Sequence, residues 1–284
     1  MSDFLITFPS RRRIEALAQK YSLLLPERQK ASLIGELSGK RAGSSIEYQD
    51  RKDYVLGDDI RHIDWRAYAR TDRLTIKLYR EEICPTIDII VDTSLSMSVT
   101  PEKSLRRTEL AYLFYLLSLK IHAVTALYNL GENLQRFMNP LDLLSSKDTR
   151  QDTPLPILQC SPFVRRGGVK IMISDFLFPF SPAELIATFS AADCLILVQV
   201  LTAFEDDPGQ GEFTRLVDAE NRKFLDVVLN RATVEGYKKR LNNLRSELER
   251  RVRVAHGAFA FLRDVDSLDQ LVQNLLTTGV INVK

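Results

Sequence analysis

The sequence predicts an α/β fold: a mostly parallel sheet with helices on both faces, plus a small N-terminal β-containing element. Three observations carry this. Short runs such as Ile87-Asp88-Ile89-Ile90-Val91, Val169-Lys170-Ile171-Met172-Ile173 and Cys194–Leu201 are apolar almost throughout, as strands buried on both faces are. Segments of helical periodicity separate them at the spacing of repeated strand–helix units. The texture also changes near residue 84: residues 32–82 are rich in Gly, Arg and Asp, whereas the chain beyond is patterned for a core. This divides the chain into an element over 1–83 and a larger domain over 84–284.

In chain order, Ile14, Leu17, Tyr21 and Leu24 lie at helical spacing and Pro26 ends the run, which predicts an amphipathic helix over 11–25. Arg73–Tyr79 alternates as a strand. Thr100-Pro101-Glu102 opens a helix, since proline suits the first turn. Leu110–Ile121 is apolar nearly all round, so that helix is expected to be sandwiched. Ala123–Tyr128 reads as a strand, Leu134–Met138 as an edge strand, and 139–168 as loop with a short helix. Ser181-Pro182-Ala183-Glu184 and Ser267-Leu268-Asp269-Gln270 have capping-box spacing, and the second helix should stop at Gly279. Between them, 205–232 contains turns around strand-like pieces, and Tyr237, Leu241, Leu244, Leu248 and Val252 stripe a long charged helix. Ala258–Leu262 is the last core strand expected.

The bulk properties exclude several functions. The 284 residues carry 39 basic and 37 acidic side chains, a balance with no global attraction for nucleic acid or membrane. Cys84, Cys160 and Cys194 are odd in number and form no CxxC pair, so neither a disulfide framework nor a zinc site follows, and a reducing cytoplasm is expected. No apolar stretch is long enough to span a bilayer. His62, His122 and His256 show no metal-ligand spacing and are expected to be structural or exposed.

The chemistry concentrates where two strands end in an acid. One gives Val91-Asp92-Thr93-Ser94-Leu95-Ser96, the other Ile173-Ser174-Asp175. In an open parallel sheet ligands bind beyond the carboxyl ends of the strands, so Asp92 and Asp175 should emerge at the same rim. Two such carboxylates repel unless a cation lies between them. Magnesium, or else Mn²⁺ or Ca²⁺, accepts hard oxygen ligands of this kind and can keep a position open for a partner. With neutral Ser94 and Ser96 as ligands, the ion would stay electron-poor and attract an incoming carboxylate.

Asp92-x-Ser94-x-Ser96 with a distant strand-ending Asp175 resembles the metal-ion-dependent adhesion site of von Willebrand factor A domains. A longer pattern resembles the bacterial domain-of-unknown-function family 58: Ser38-Gly39-x-x-x-Gly43, Glu47-Tyr48, Arg51-x-x-Tyr54, Gly57-Asp58-Asp59-x-Arg61-x-Ile63-Asp64-Trp65, Ala69-Arg70, Glu81, and Asp92-x-Ser94-x-Ser96-Met97. The tail is also similar, with Gly211-Glu212, Leu216-Val217-Asp218-Ala219-Glu220 and Tyr237. The resemblance implies a von Willebrand factor A fold, Rossmann-like in arrangement. It also implies pairing with a MoxR-type AAA+ ATPase in chaperone-like maturation or metal insertion on a client. Family sites of this kind add a threonine from a middle loop, for which Thr153 is the first candidate and Thr149 the second. The polar Gly57–Trp65 motif has two readings, a partner-binding surface or, preferred, salt bridges and turns with a Trp anchor fastening the N-terminal element to the larger domain.

The expected function is therefore a non-enzymatic, metal-dependent interaction module for a protein that offers an Asp or Glu carboxylate. The principal rival is a haloacid-dehalogenase-like phosphohydrolase, which also places an Asp after its first strand. That chemistry needs a second acid two residues on, and position 94 is Ser. No G-x-S-x-G elbow, P-loop or H-E-x-x-H is present. A nucleic-acid binder using the Arg-rich 51–80 stretch is disfavoured because acids are interspersed among its bases and leave a poor electrostatic footprint.

Overall fold

A computed structural model describes residues 9–25, 46–81, 85–131, 134–144, 165–220 and 222–283. The chain forms two compact units, one comprising 27–85 and the other 1–26 together with 86–284. In order, the elements are α1 (Arg11–Lys20), β1 (Tyr21–Leu23), β2 (Ile46–Asp53), α2 (Trp65–Thr71), β3 (Thr75–Glu81), β4 (Thr86–Asp92), α3 (Pro101–Lys120), β5 (Val124–Leu130) and β6 (Leu134–Phe137). They continue with β7 (Val169–Ser174), α4 (Pro182–Thr188), β8 (Cys194–Leu201), α5 (Ala203–Asp206), β9 (Gly211–Val217), β10 (Phe224–Leu229), α6 (Arg231–Val254), β11 (Ala258–Arg263), α7 (Leu268–Thr277) and β12 (Ile281–Val283).

In the small unit β2 and β3 pair antiparallel, with a register shift between Tyr48 and Asp50. Asp64 caps α2 by accepting from the Arg66 and Ala67 amides. It is buried and held by Arg51 at 3.1 Å and Lys77 at 3.8 Å. The motif thus builds turns and ion pairs, as expected. Within this unit α2 turns Ala67 inward, while Trp65 is 62% exposed.

In the large unit six strands form one sheet in the order β11-β8-β7-β4-β5-β6, parallel except for β6. The side-chain alternation of a strand explains the two cores. Ile89 and Val91 face a cluster shared with α1, α3 and α7 through Ile14, Phe114 and Leu275. Ile90 faces the opposite cluster with Leu185 of α4 and Leu248 and Val252 of α6. The sandwiched α3 is buried on most of its surface, including Lys103, Arg106 and Arg107.

Several expectations need correction. The N-terminal helix does not belong with the first 83 residues. It packs in the large unit, where Glu15 accepts from the Tyr112 hydroxyl at 2.8 Å. Lys120 caps its end by donating to the Ala18, Gln19 and Tyr21 carbonyls. The helix also stops at Lys20 rather than running to 25, because Tyr21–Leu23 pairs antiparallel with β12. At Ser181 the helix starts as predicted but without a side-chain cap bond. The box at Ser267–Gln270 is complete, and another at Thr202–Glu205 went unforeseen. Within 139–168 a 3₁₀ turn covers Pro140–Leu144. Thr149, Thr153, Cys84 and Cys160 lie outside the described residues, whereas Cys194 is buried as expected.

Candidate functional site

The order of strands reverses at β4: β5 lies on one side of it and β7 on the other. Such a switch point opens a crevice beyond the strand ends. Asp92 ends β4 and Ser174 ends β7, so both flank that crevice. The loop after β4 is pinned on each side. Thr93 donates its amide to the Leu130 carbonyl at 3.0 Å and its hydroxyl to Asn129. Met97 is fully buried beneath the 3₁₀ turn Leu95–Ser98.

This arrangement brings Asp92, Ser94 and Ser96 together. Asp92 Oδ1 accepts from the Ser94 amide at 2.9 Å and the Ser94 hydroxyl at 2.6 Å. Ser94 Oγ lies 3.0 Å from Ser96 Oγ. Asp92 Oδ2 accepts from Ser174 Oγ at 2.6 Å. Ser174 was visible next to Asp175 in the sequence, but nothing singled it out as the group that reaches Asp92. The Arg107 guanidinium reaches the Asp92 carbonyl at 3.5 Å.

Asp175 is arranged differently from the expectation. Its Oδ2 is held by Lys103 Nζ at 3.1 Å and its Oδ1 accepts from the Leu177 amide at 3.0 Å. The chain leaves it through Phe176, a fully buried aromatic at φ 54°. Such a conformation is costly for a bulky residue and marks a site whose surroundings enforce it. Lys103, completely buried, also donates to Glu205 at 2.9 and 3.0 Å. Gln199 donates to the Asp175 carbonyl at 2.7 Å and is itself held by Arg245 at 2.9 Å. Arg245 lies over the Phe261 ring, 3.4 Å from its centroid, and pairs with Asp206. Of this second ring only Glu205 had a readable sign, the Thr-x-x-Glu spacing of its capping box. A lone lysine in a helix announces no such role.

The electrostatics separate the two acids. Burial, reinforced by the neighbouring charge of Asp175, pushes the Asp92 carboxyl up to about 6 despite the hydrogen bonds from Ser174 and Ser94. Those bonds come from hydroxyls and an amide, whereas Asp175 has a lysine. A fully buried carboxylate served by neutral donors favours an added cation, and the Ser94, Ser96 and Ser174 hydroxyls are hard oxygen donors suited to Mg²⁺. The donor set therefore fits a divalent ion at Asp92, Ser94 and Ser96. Among the described residues no three His, Cys, Asp or Glu side chains form a metal-binding group, so hydroxyls and water would supply most of the shell.

Residues 50–247 match the family model described as "Protein of unknown function DUF58". No curated protein matches the chain. Among solved structures, the conserved hypothetical protein BatB from Bacteroides thetaiotaomicron is 11% identical, with 69% of this chain and 98% of that one covered and a TM-score of 0.37. An aerotolerance-related membrane protein from Bacteroides fragilis NCTC 9343, with multiple mutations to serines, is 13% identical over the same shares, with a TM-score of 0.38. Among the described residues no helix is long and apolar enough to cross a membrane.

Proposed function

We propose that this chain, which belongs to the DUF58 family, is a metal-ion-dependent protein-interaction module. Asp92, Ser94 and Ser96 hold a divalent cation at the sheet rim, and an Asp or Glu of a partner protein completes its coordination. Thr153 or Thr149 supplies the loop hydroxyl, and Asp175 adds its charge from the adjacent strand. One observation carries the reading. Asp92 is a fully buried carboxylate whose hydrogen-bond donors among the described residues are all uncharged, beside a second acid whose lysine is shared with Glu205. A carboxylate so placed is costly to ionise unless positive charge arrives.

The module acts without chemistry of its own, as an adaptor for a MoxR-type AAA+ ATPase and its client. A haloacid-dehalogenase-like phosphohydrolase gains no support, since the residue two beyond Asp92 is a serine that donates to it. The test is co-precipitation of the full chain with a MoxR-type ATPase from the same organism, with Mg²⁺ or with chelator. Recovery should require Mg²⁺ and vanish in Asp92→Ala, with thermal unfolding still cooperative. Equal recovery in chelator sinks the proposal.

A further inference from the structure

The hairpin β9–β10 stands apart from the six-stranded sheet, its strands pairing only with each other among the described residues. Val217, Phe224 and Leu225 on it are each more than 60% exposed. Its own contacts make it stiff: Arg215 forms a two-pronged pair with Asp226 at 2.7 and 2.9 Å and lies over the Phe224 ring. The tip is shaped by Asp218, whose amide donates to the Lys223 carbonyl while its Oδ1 accepts from the Glu220 amide at 2.8 Å. That turn sends the Glu220 side chain to the rim, where Oε1 accepts from the Ser96 amide at 2.7 Å.

The contact joins residues 124 apart in sequence and falls on the candidate site itself. The Ser96 amide lies in the 3₁₀ turn Leu95–Ser98, and the Ser96 hydroxyl is in contact with that of Ser94. That point lies beside two of the proposed ligand hydroxyls, those of Ser94 and Ser96. It is also where a carboxylate arriving from outside would approach. Val217, Phe224 and Leu225 leave the outer face of the arm exposed, and the charge-assisted hydrogen bond from the Ser96 amide ties its tip to the rim.

We propose that Glu220 is an internal stand-in for the partner's carboxylate. The hairpin is a latch that closes the rim at rest, and an acidic partner binds by displacing it. This inference rests on the carboxylate-capture reading above and adds that capture is competitive with the chain's own hairpin.

The experiment uses the full-length chain and its Glu220→Gln variant, which keeps the side chain's size but not its charge. Hydrogen–deuterium exchange at the Ser96 amide reads the latch directly. Binding of a fluorescent oligoglutamate peptide, with Mg²⁺ and with chelator, reads its effect on capture. In the variant, exchange at Ser96 should speed up about ten-fold or more and peptide affinity in Mg²⁺ should rise by a similar factor, the scale of one lost charge-assisted hydrogen bond. Unchanged exchange overturns the latch. So does equal peptide affinity in the two proteins, which leaves metal-dependent capture standing, as does a lowered melting temperature without tighter binding, which makes Glu220 a simple cap of the turn. Peptide binding by neither protein in Mg²⁺ overturns carboxylate capture, and the latch with it.

Discussion

Asp92 should make the protein's stability depend on pH in a direction opposite to that of most carboxylates. Its folded value of about 6 lies above the ordinary 3.8. An acid raised in this way contributes stability that is fully present below pH 3.8 and lost as pH rises through about 6. A shift of this size corresponds to roughly 3 kcal/mol, as an order of magnitude. Without divalent ion, the Asp92 contribution should therefore fall between about pH 4 and pH 6, and Asp92→Asn should abolish that component. Mg²⁺ should raise the melting temperature more at pH 7 than at pH 5, because protons compete for the same oxygen. Thermal unfolding across pH, with and without Mg²⁺, measures both effects; a metal effect of equal size at both pH values assigns binding elsewhere. Lys103 supports the second acid. Lys103→Met leaves Asp175 and Glu205 without their shared cation, and denaturant unfolding should show a loss of about 3–5 kcal/mol, the scale for breaking a buried pair on one side.

Among the elements, the strand ends do most to shape the site. The buried β4, β7 and β8 read directly as apolar runs, and their parallel register delivers Asp92 and Ser174 to one rim. The entry to β11 is as tightly defined. A Cβ at Gly257 would lie 1.7 Å from the Leu195 carbonyl oxygen, so only glycine lets β11 approach β8 there. Gly257→Ala should cost about 2 kcal/mol or more and shift the denaturation midpoint accordingly. A silent substitution would mean that β11 can move away from β8 at little cost. The loop after β4 was legible as a turn from its Asp and Ser content. The network behind it was not, because Lys103, Gln199 and Arg245 come from three separate elements and have no shared spacing in the sequence.

For the large unit as a whole, α1 and β1 are part of the core. Ile14, Ala18, Leu23 and Leu25 are buried, and β1 pairs with the C-terminal β12. Removing residues 1–25 should lower stability by at least ~3 kcal/mol, the scale of losing several buried apolar side chains. A deletion variant with an unchanged unfolding midpoint would show the helix to be dispensable. The two units divide the chain near residue 85, close to the change in texture seen in the sequence. The N-terminal helix nevertheless joins the unit from which residues 27–85 separate it.

The sequence alone determined the class of fold, the course of the core strands and the Asp92-x-Ser94-x-Ser96 turn at a strand end. Each of these is encoded locally, by β-branched apolar runs, helical periodicity and turn-forming side chains. Tertiary structure alone decided that Ser174 reaches Asp92, that Lys103 holds Asp175, that β1 pairs with β12 and that Glu220 lies against Ser96. These contacts join residues about 70 to more than 120 positions apart, or pair one terminus with the other. Burial and charge at such meeting points depend on which surfaces the fold brings together, and no local pattern of residue types records that.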